Sequence, residues 1–135
     1  MRKYRFVAPY DSKGKARIQS IKKRSGIYII KENNKIVYVG MSGYNLYKTM
    51  YRHFQSWEDT QYRVTYQDQI DTNKYTVRVV LCSPAKAEKL EKGLILKYQP
   101  RDNAHKYEQL TKDAKTDLYV ANYQEIPVVK TDEPF

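Results

Sequence analysis

The segment 25–42, SGIYIIKENNKIVYVGMS, holds two short runs rich in β-branched and aromatic residues, separated by a polar stretch with adjacent asparagines. This pattern predicts a β-hairpin with strands near 26–31 and 36–39, turning at Asn33-Asn34, because asparagine tolerates positive φ. On the first strand Tyr28 and Ile30 take one face, and Ile27 and Ile29 the other. Residues 75–82, YTVRVVLC, predict a third strand that alternates at first and then runs apolar. Between hairpin and third strand, residues 44–57 carry Leu46, Met50 and Phe54 at spacings of four, with Tyr47 and Tyr51 alongside. That is an amphipathic helix, and Asn45 is its expected cap. The polar segment 58–74 contains a Tyr62-Val64-Tyr66 alternation, which suggests a short strand paired with 75–81 through Asp71-Thr72-Asn73.

The sharpest boundary in the chain opens the next helix. Ser83 is placed as an N-cap, Pro84 sits at the first helical position, and the helix over 84–98 stops before Pro100. Beyond it, Leu110, Ala114, Leu118 and Ala121 recur at helical spacing over 107–124, and 125–135 reads as an extended tail. The order β-β-α-β-α-α does not match a doubly wound parallel sheet. The expected fold is therefore α/β of the α+β kind: a small, mainly antiparallel, three-stranded sheet flanked by helices. With 135 residues the chain suits one domain. The expected division is a basic arm over 1–21, the domain with its C-terminal helix over 22–124, and the tail.

Charge narrows the class of partner. The net charge is +10, and +8 of it lies in residues 1–25, where nine basic side chains face one acid, Asp11. A field of this sign draws polyanions, nucleic acid first and an anionic membrane surface second, unless the segment is only a solvated tail. No apolar run approaches the roughly 20 residues of a spanning helix, and the N-terminus lacks the apolar core of a secretory signal. Cys82 is the single cysteine, which leaves no disulfide framework or thiolate zinc cluster, and a reducing, cytoplasmic setting is expected. His53 and His105 are too far apart in sequence to form a metal-ligand spacing.

On the helix over 84–98, Ala87, Leu90, Leu94, Ile95 and Tyr98 share an apolar face, and Glu91 falls on it with them. A carboxylate in that position is either a rim residue or half of an ion pair, or else a metal ligand or acid/base group on a cleft floor. Periodicity does not choose between these. Taken singly, Tyr28 and Tyr38 read first as packing residues with wet hydroxyls; only their pairing on adjacent strands hints at a site.

The chemistry-bearing residues also fall into a known register. GIY at Gly26-Ile27-Tyr28 and YVG at Tyr38-Val39-Gly40 stand ten positions apart, tyrosine to tyrosine. A helix, a third strand, a helix bearing Glu91, and QPRDN ending in an asparagine twelve positions after Glu91 follow them. Over roughly residues 25–104 the chain resembles the GIY-YIG nuclease family. The resemblance implies hydrolysis of phosphodiester bonds in double-stranded DNA by a monomer or homodimer. It also implies one divalent cation per active site, Mg2+ or Mn2+, held by Glu91. Tyr28 and Tyr38 would orient or activate the attacking water, and Asn103 would order the site. A stand-alone nuclease of this kind points to a phage, a mobile element or a bacterial accessory locus. The position of the family's phosphate-clamping arginine falls on Thr49. Arg52, about one turn along, and Lys48 are the candidate replacements. His53, one turn from Thr49, is either in the cleft or a surface residue near the helix end. Lys22, Lys23 and Arg24, with Lys48 and Arg52, are the candidate contacts to nucleic acid. Absence of the arginine leaves open a catalytically silent nucleic-acid-binding module, and a protein-interaction domain with Glu91 in a buried ion pair is the remaining alternative.

Overall fold

A computed structural model of the protein describes residues 2–55, 64–66 and 74–111. The three predicted strands are present as β2 (Gly26–Glu32), β3 (Lys35–Ser42) and β4 (Tyr75–Leu81), and a two-residue strand, β1 (Arg2–Lys3), joins them. All pairings are antiparallel, in the order β1-β4-β2-β3. The hairpin turns at Asn33 and Asn34, both at positive φ.

The first predicted helix is shorter than its pattern. It runs as α1 (Leu46–Tyr51), with the Asn45 side chain accepting from the Lys48 amide, and then tightens into a 3₁₀ turn, Arg52–Phe54. The second, α2 (Pro84–Tyr98), starts on the Ser83 cap with Pro84 in its first turn and closes on Gln99 in the left-handed region, with Pro100 buried behind it. A further 3₁₀ turn, Arg101–Asn103, leads into α3 (Ala104–Leu110). The strand suggested around Tyr62-Val64-Tyr66 is not formed across residues 64–66, which lie against the 3₁₀ turn after α1 through Tyr66 N–H to the His53 carbonyl, 2.6 Å. Residue 62, the turn expected at 71–73, and the predicted C-terminal helix and tail beyond residue 111 lie outside the described residues.

The sheet separates two apolar clusters. On one face Tyr28, Ile30, Val77 and Val79 pack under Leu46, Met50, Tyr51 and Phe54. On the other, Ile27, Ile29, Val39 and Val80 pack under Ala87, Leu90, Leu94 and Ile95. The basic N-terminal segment contributes to the first cluster through Tyr4, Ile18 and Ile21, all buried. It is held there by Tyr51, whose hydroxyl donates to the Pro9 carbonyl (2.8 Å) and accepts from the Ile18 amide (3.0 Å).

One irregularity decides which way the second signature strand faces. The β2–β3 pairing runs Ile30↔Tyr38 and then Lys31↔Ile36, so Val37 is an extra residue, a β-bulge. Ile36 belongs to the α2 side, yet Val37 and Tyr38 both belong to the α1 side, and Val39 returns to the α2 side. Unbroken alternation from Ile36 would have turned Tyr38 toward α2; the bulge turns it toward Tyr28.

Candidate functional site

Two glycines mark close approaches in the signature strands. Gly26 has φ +154°, and a Cβ there would meet the Val80 carbonyl oxygen on β4. Gly40 lies directly across from Tyr28, and a Cβ on it would overlap the Tyr28 ring and hydroxyl. The Tyr28 side chain therefore lies flat over a backbone with no side chain of its own.

Around it a compact group forms. Tyr38 stacks on Tyr28 with centroids 6.0 Å apart, and the His53 ring lies 5.4 Å from Tyr28 and 4.5 Å from Tyr38. The Tyr28 hydroxyl is 2.7 Å from His53 Nε2, and His53 Nδ1 is 2.7 Å from the Val64 carbonyl oxygen. A carbonyl only accepts, so Nδ1 carries the proton and donates to it. Burial lowers the His53 pKa from its ordinary 6.5 and keeps the ring neutral, which leaves the Nε2 lone pair to accept from Tyr28. Burial in turn raises the Tyr28 hydroxyl well above 10.0, helped by the charge of Glu91 and by the neighbouring Tyr38. Tyr38 is raised mainly by burial and then by the charge of Glu91.

The sequence-predicted Asn103 performs a backbone-like role. Its Oδ1 accepts from the Val39 amide (2.8 Å) and its Nδ2 donates to the Val39 carbonyl (3.0 Å), as a neighbouring strand would. This seals the free edge of β3 beside Tyr38. The turn that carries Asn103 is anchored by Arg101, which grips Glu32 through two contacts of 3.2 Å and Asp102 at 2.9 Å. Asp102 also accepts from the Tyr66 hydroxyl at 2.7 Å, and its charge favours protonation of His53. Tyr66 and Asp102 were not singled out from the sequence. Asp102 stands next to Asn103 in the QPRDN segment, and Tyr66 entered the sequence reading only as the end of a short strand-like alternation, without a site role.

Glu91 projects from α2 with 14% of its side chain exposed, and Lys106 Nζ of α3 approaches it at 3.8 Å. Burial raises its carboxyl pKa above 4.5, with Lys106 and Lys92 pulling the other way. Its charge reaches both tyrosines. Among the described residues no group of three or more His, Cys, Asp or Glu is arranged to hold a metal alone. One hard carboxylate in a partly dry position suits a divalent cation that keeps most of its own waters and takes further oxygens from a substrate phosphate.

The remaining predicted residues are spread more widely. Thr49 donates its hydroxyl to the Asn45 carbonyl at 3.1 Å, so the side chain at the expected arginine position is turned back on its own helix. Lys48 and Arg52 are exposed, as are Lys22, Lys23 and Arg24. Lys22 lies 4.7 Å over the Tyr47 ring, and Lys23 adopts φ 60°. Thus Tyr28, Tyr38, His53, Asn103 and Glu91 converge near the β3 edge. No helix among the described residues is long and apolar enough to cross a membrane.

No curated protein matches the chain significantly. The family model for the GIY-YIG catalytic domain matches residues 24–117, most of the chain and all five converging residues. Nucleases of this family act on nucleic acid and are generally divalent-metal dependent. The three-strand core, the flanking helices and this match together establish that the chain belongs to the GIY-YIG nuclease family.

Proposed function

We propose that the protein is a divalent-metal-dependent endonuclease of double-stranded DNA, with one Mg2+ or Mn2+ held by Glu91 in each active site. The observation that carries this reading is the 2.7 Å contact between the Tyr28 hydroxyl and the Nε2 of a histidine whose Nδ1 is already committed. Tyr28 is too weak an acid to stand as a free phenolate. It acts instead as a relay: the attacking water gives a proton to the Tyr28 oxygen as the Tyr28 proton passes to Nε2. The product imidazolium keeps its Nδ1–H on the Val64 carbonyl, and the nearby Asp102 charge favours it. Tyr38 fixes the ring positions, and Asn103 fixes the strand that carries Tyr38. A bound cation supplies charge stabilisation at the phosphate and the leaving oxygen. Lys48 and Arg52 are the cations assigned to the DNA backbone on the α1 side, with Lys22, Lys23 and Arg24 behind them.

Thr49 favours a second reading, a nucleic-acid-binding module that cleaves slowly or not at all. Without a guanidinium on that helical turn, charge developing on the phosphate has one stabilising group fewer. Supercoiled plasmid with magnesium or manganese separates the two readings. The nuclease gives nicked or linear product that Glu91→Ala abolishes; intact plasmid with every metal, together with retained salt-sensitive binding, establishes the module instead.

A further inference from the structure

On the α2 face of the sheet, beyond the C-terminal end of α2, lies a cavity of about 430 Å³ that takes no part in the site described above. Its charged lining residues, Lys31, Lys35 and Arg78, are all basic, and its aromatic walls are Phe6 and Tyr98. Both Lys31 Nζ and the Arg78 guanidinium lie over the Phe6 ring, at 4.0 and 4.4 Å. The nearest carboxylate in sequence, Glu32, faces the opposite side of the strand, where Arg101 and Tyr75 hold it. Burial and the neighbouring Arg78 charge lower the Lys31 pKa, as expected of cations gathered without a local anion. Arg78 Nε is buried without a hydrogen-bond partner. A buried guanidinium N–H left in that state is unfavourable, and an oxyanion entering the cavity would relieve it.

We propose that this cavity binds the phosphate group of a nucleotide, with the sugar or base lying against Tyr98. An arginine fork and two ammonium groups suit phosphate oxygens, and an exposed aromatic beside them suits a nucleotide better than a bare anion. The volume falls within the ordinary range of small-ligand sites. Such a phosphate has two sources, a mononucleotide or the backbone of a nucleic acid strand running past the catalytic cleft. The cavity lies on the face of the sheet opposite Tyr28, so a strand occupying it would be a second region of DNA or RNA contact.

The test is amide chemical-shift titration of the Glu91→Ala protein, in which cleavage is removed so that the outcome does not depend on the catalytic reading. The probes are inorganic phosphate, thymidine monophosphate and a ten-nucleotide single strand. Saturable shifts at Asn34, Lys35, Arg78 and Tyr98 are expected. Adding Lys31→Met and Arg78→Met, which keep the aliphatic stems over Phe6, should weaken them at least about tenfold. The exposed Lys35→Ala variant, which does not threaten folding, should weaken them by a smaller factor. Shifts produced equally by monophosphate and strand identify the nucleotide as ligand; shifts produced by the strand alone identify the backbone. If no probe moves these amides, if the variants leave the shifts unchanged, or if phosphate moves all lysine-bearing surfaces alike, the proposal is overturned.

Discussion

Burial shifts Tyr28, His53 and Glu91 each toward its neutral form, and their behaviour with pH follows from it. The His53 pKa is lowered by burial, so His53 contributes stability that is present above 6.5 and lost as pH falls through the folded value. The relay also needs Nε2 unprotonated. Initial rates of plasmid cleavage should therefore hold level down to the ordinary histidine range and fall only at lower pH, through the depressed His53 value, and His53→Ala should lower kcat about 10²–10⁴-fold at neutral pH. Glu91 has the opposite sign: its carboxyl is raised by burial, so its contribution to stability is present below 4.5 and lost as pH rises through the folded value. Its counter-ion Lys106 is 43% exposed and 3.8 Å away, which weakens the compensation. Glu91→Gln is thus expected to raise stability at pH 7 by about 1 kcal/mol in metal-free buffer, read as a higher Tm. Added magnesium should raise the Tm of the wild type alone. A lower Tm for Glu91→Gln would mean that the Lys106 pair outweighs the burial cost. The inward position of Glu91 was legible from helical spacing, but its long-range partner Lys106 was not, since α2 and α3 meet only in the fold.

At the scale of elements, what the sequence announces are the local features. Asn45 caps α1, Ser83 caps α2, Pro84 enters its first turn, and the Asn33-Asn34 turn closes the hairpin, each through chemistry confined to a few neighbouring residues. The bulge at Val37 escapes such reading, because an extra residue in one strand is defined only against its partner. Without it the facing of Tyr38 cannot be read from alternation. The strand-like role of Asn103 escapes for the same reason: QPRDN shows an asparagine, and only the free edge of β3 shows what it completes. Asn103→Ala should leave the Val39 amide and carbonyl without partners and cost about 2–4 kcal/mol, measured by urea unfolding. Asn103→Asp should cost at least as much, since it keeps an acceptor for the amide but sets a buried carboxylate oxygen against the Val39 carbonyl.

For the whole molecule, the basic composition indicated a polyanion partner but concealed how much of the N-terminal segment serves the core. Ile18 and Ile21 are fully buried, yet each stands alone among polar and basic neighbours, with no period to expose it. Overall architecture was easier to read, because three apolar runs and two amphipathic helices admit few antiparallel arrangements. The sheet order has a further consequence. β4 comes from the second half of the chain but occupies a slot between β1 and β2, both from the first half, while Tyr28 and His53 come from one half and Glu91 and Asn103 from the other. Cutting the chain between residues 67 and 73 would give two fragments, each with an unfilled strand edge and half of the site. Neither should cleave plasmid alone, and mixing them should restore both the near-ultraviolet aromatic signal and cleavage, so that complementation between fragments becomes a direct measure of how strongly β4 closes the sheet.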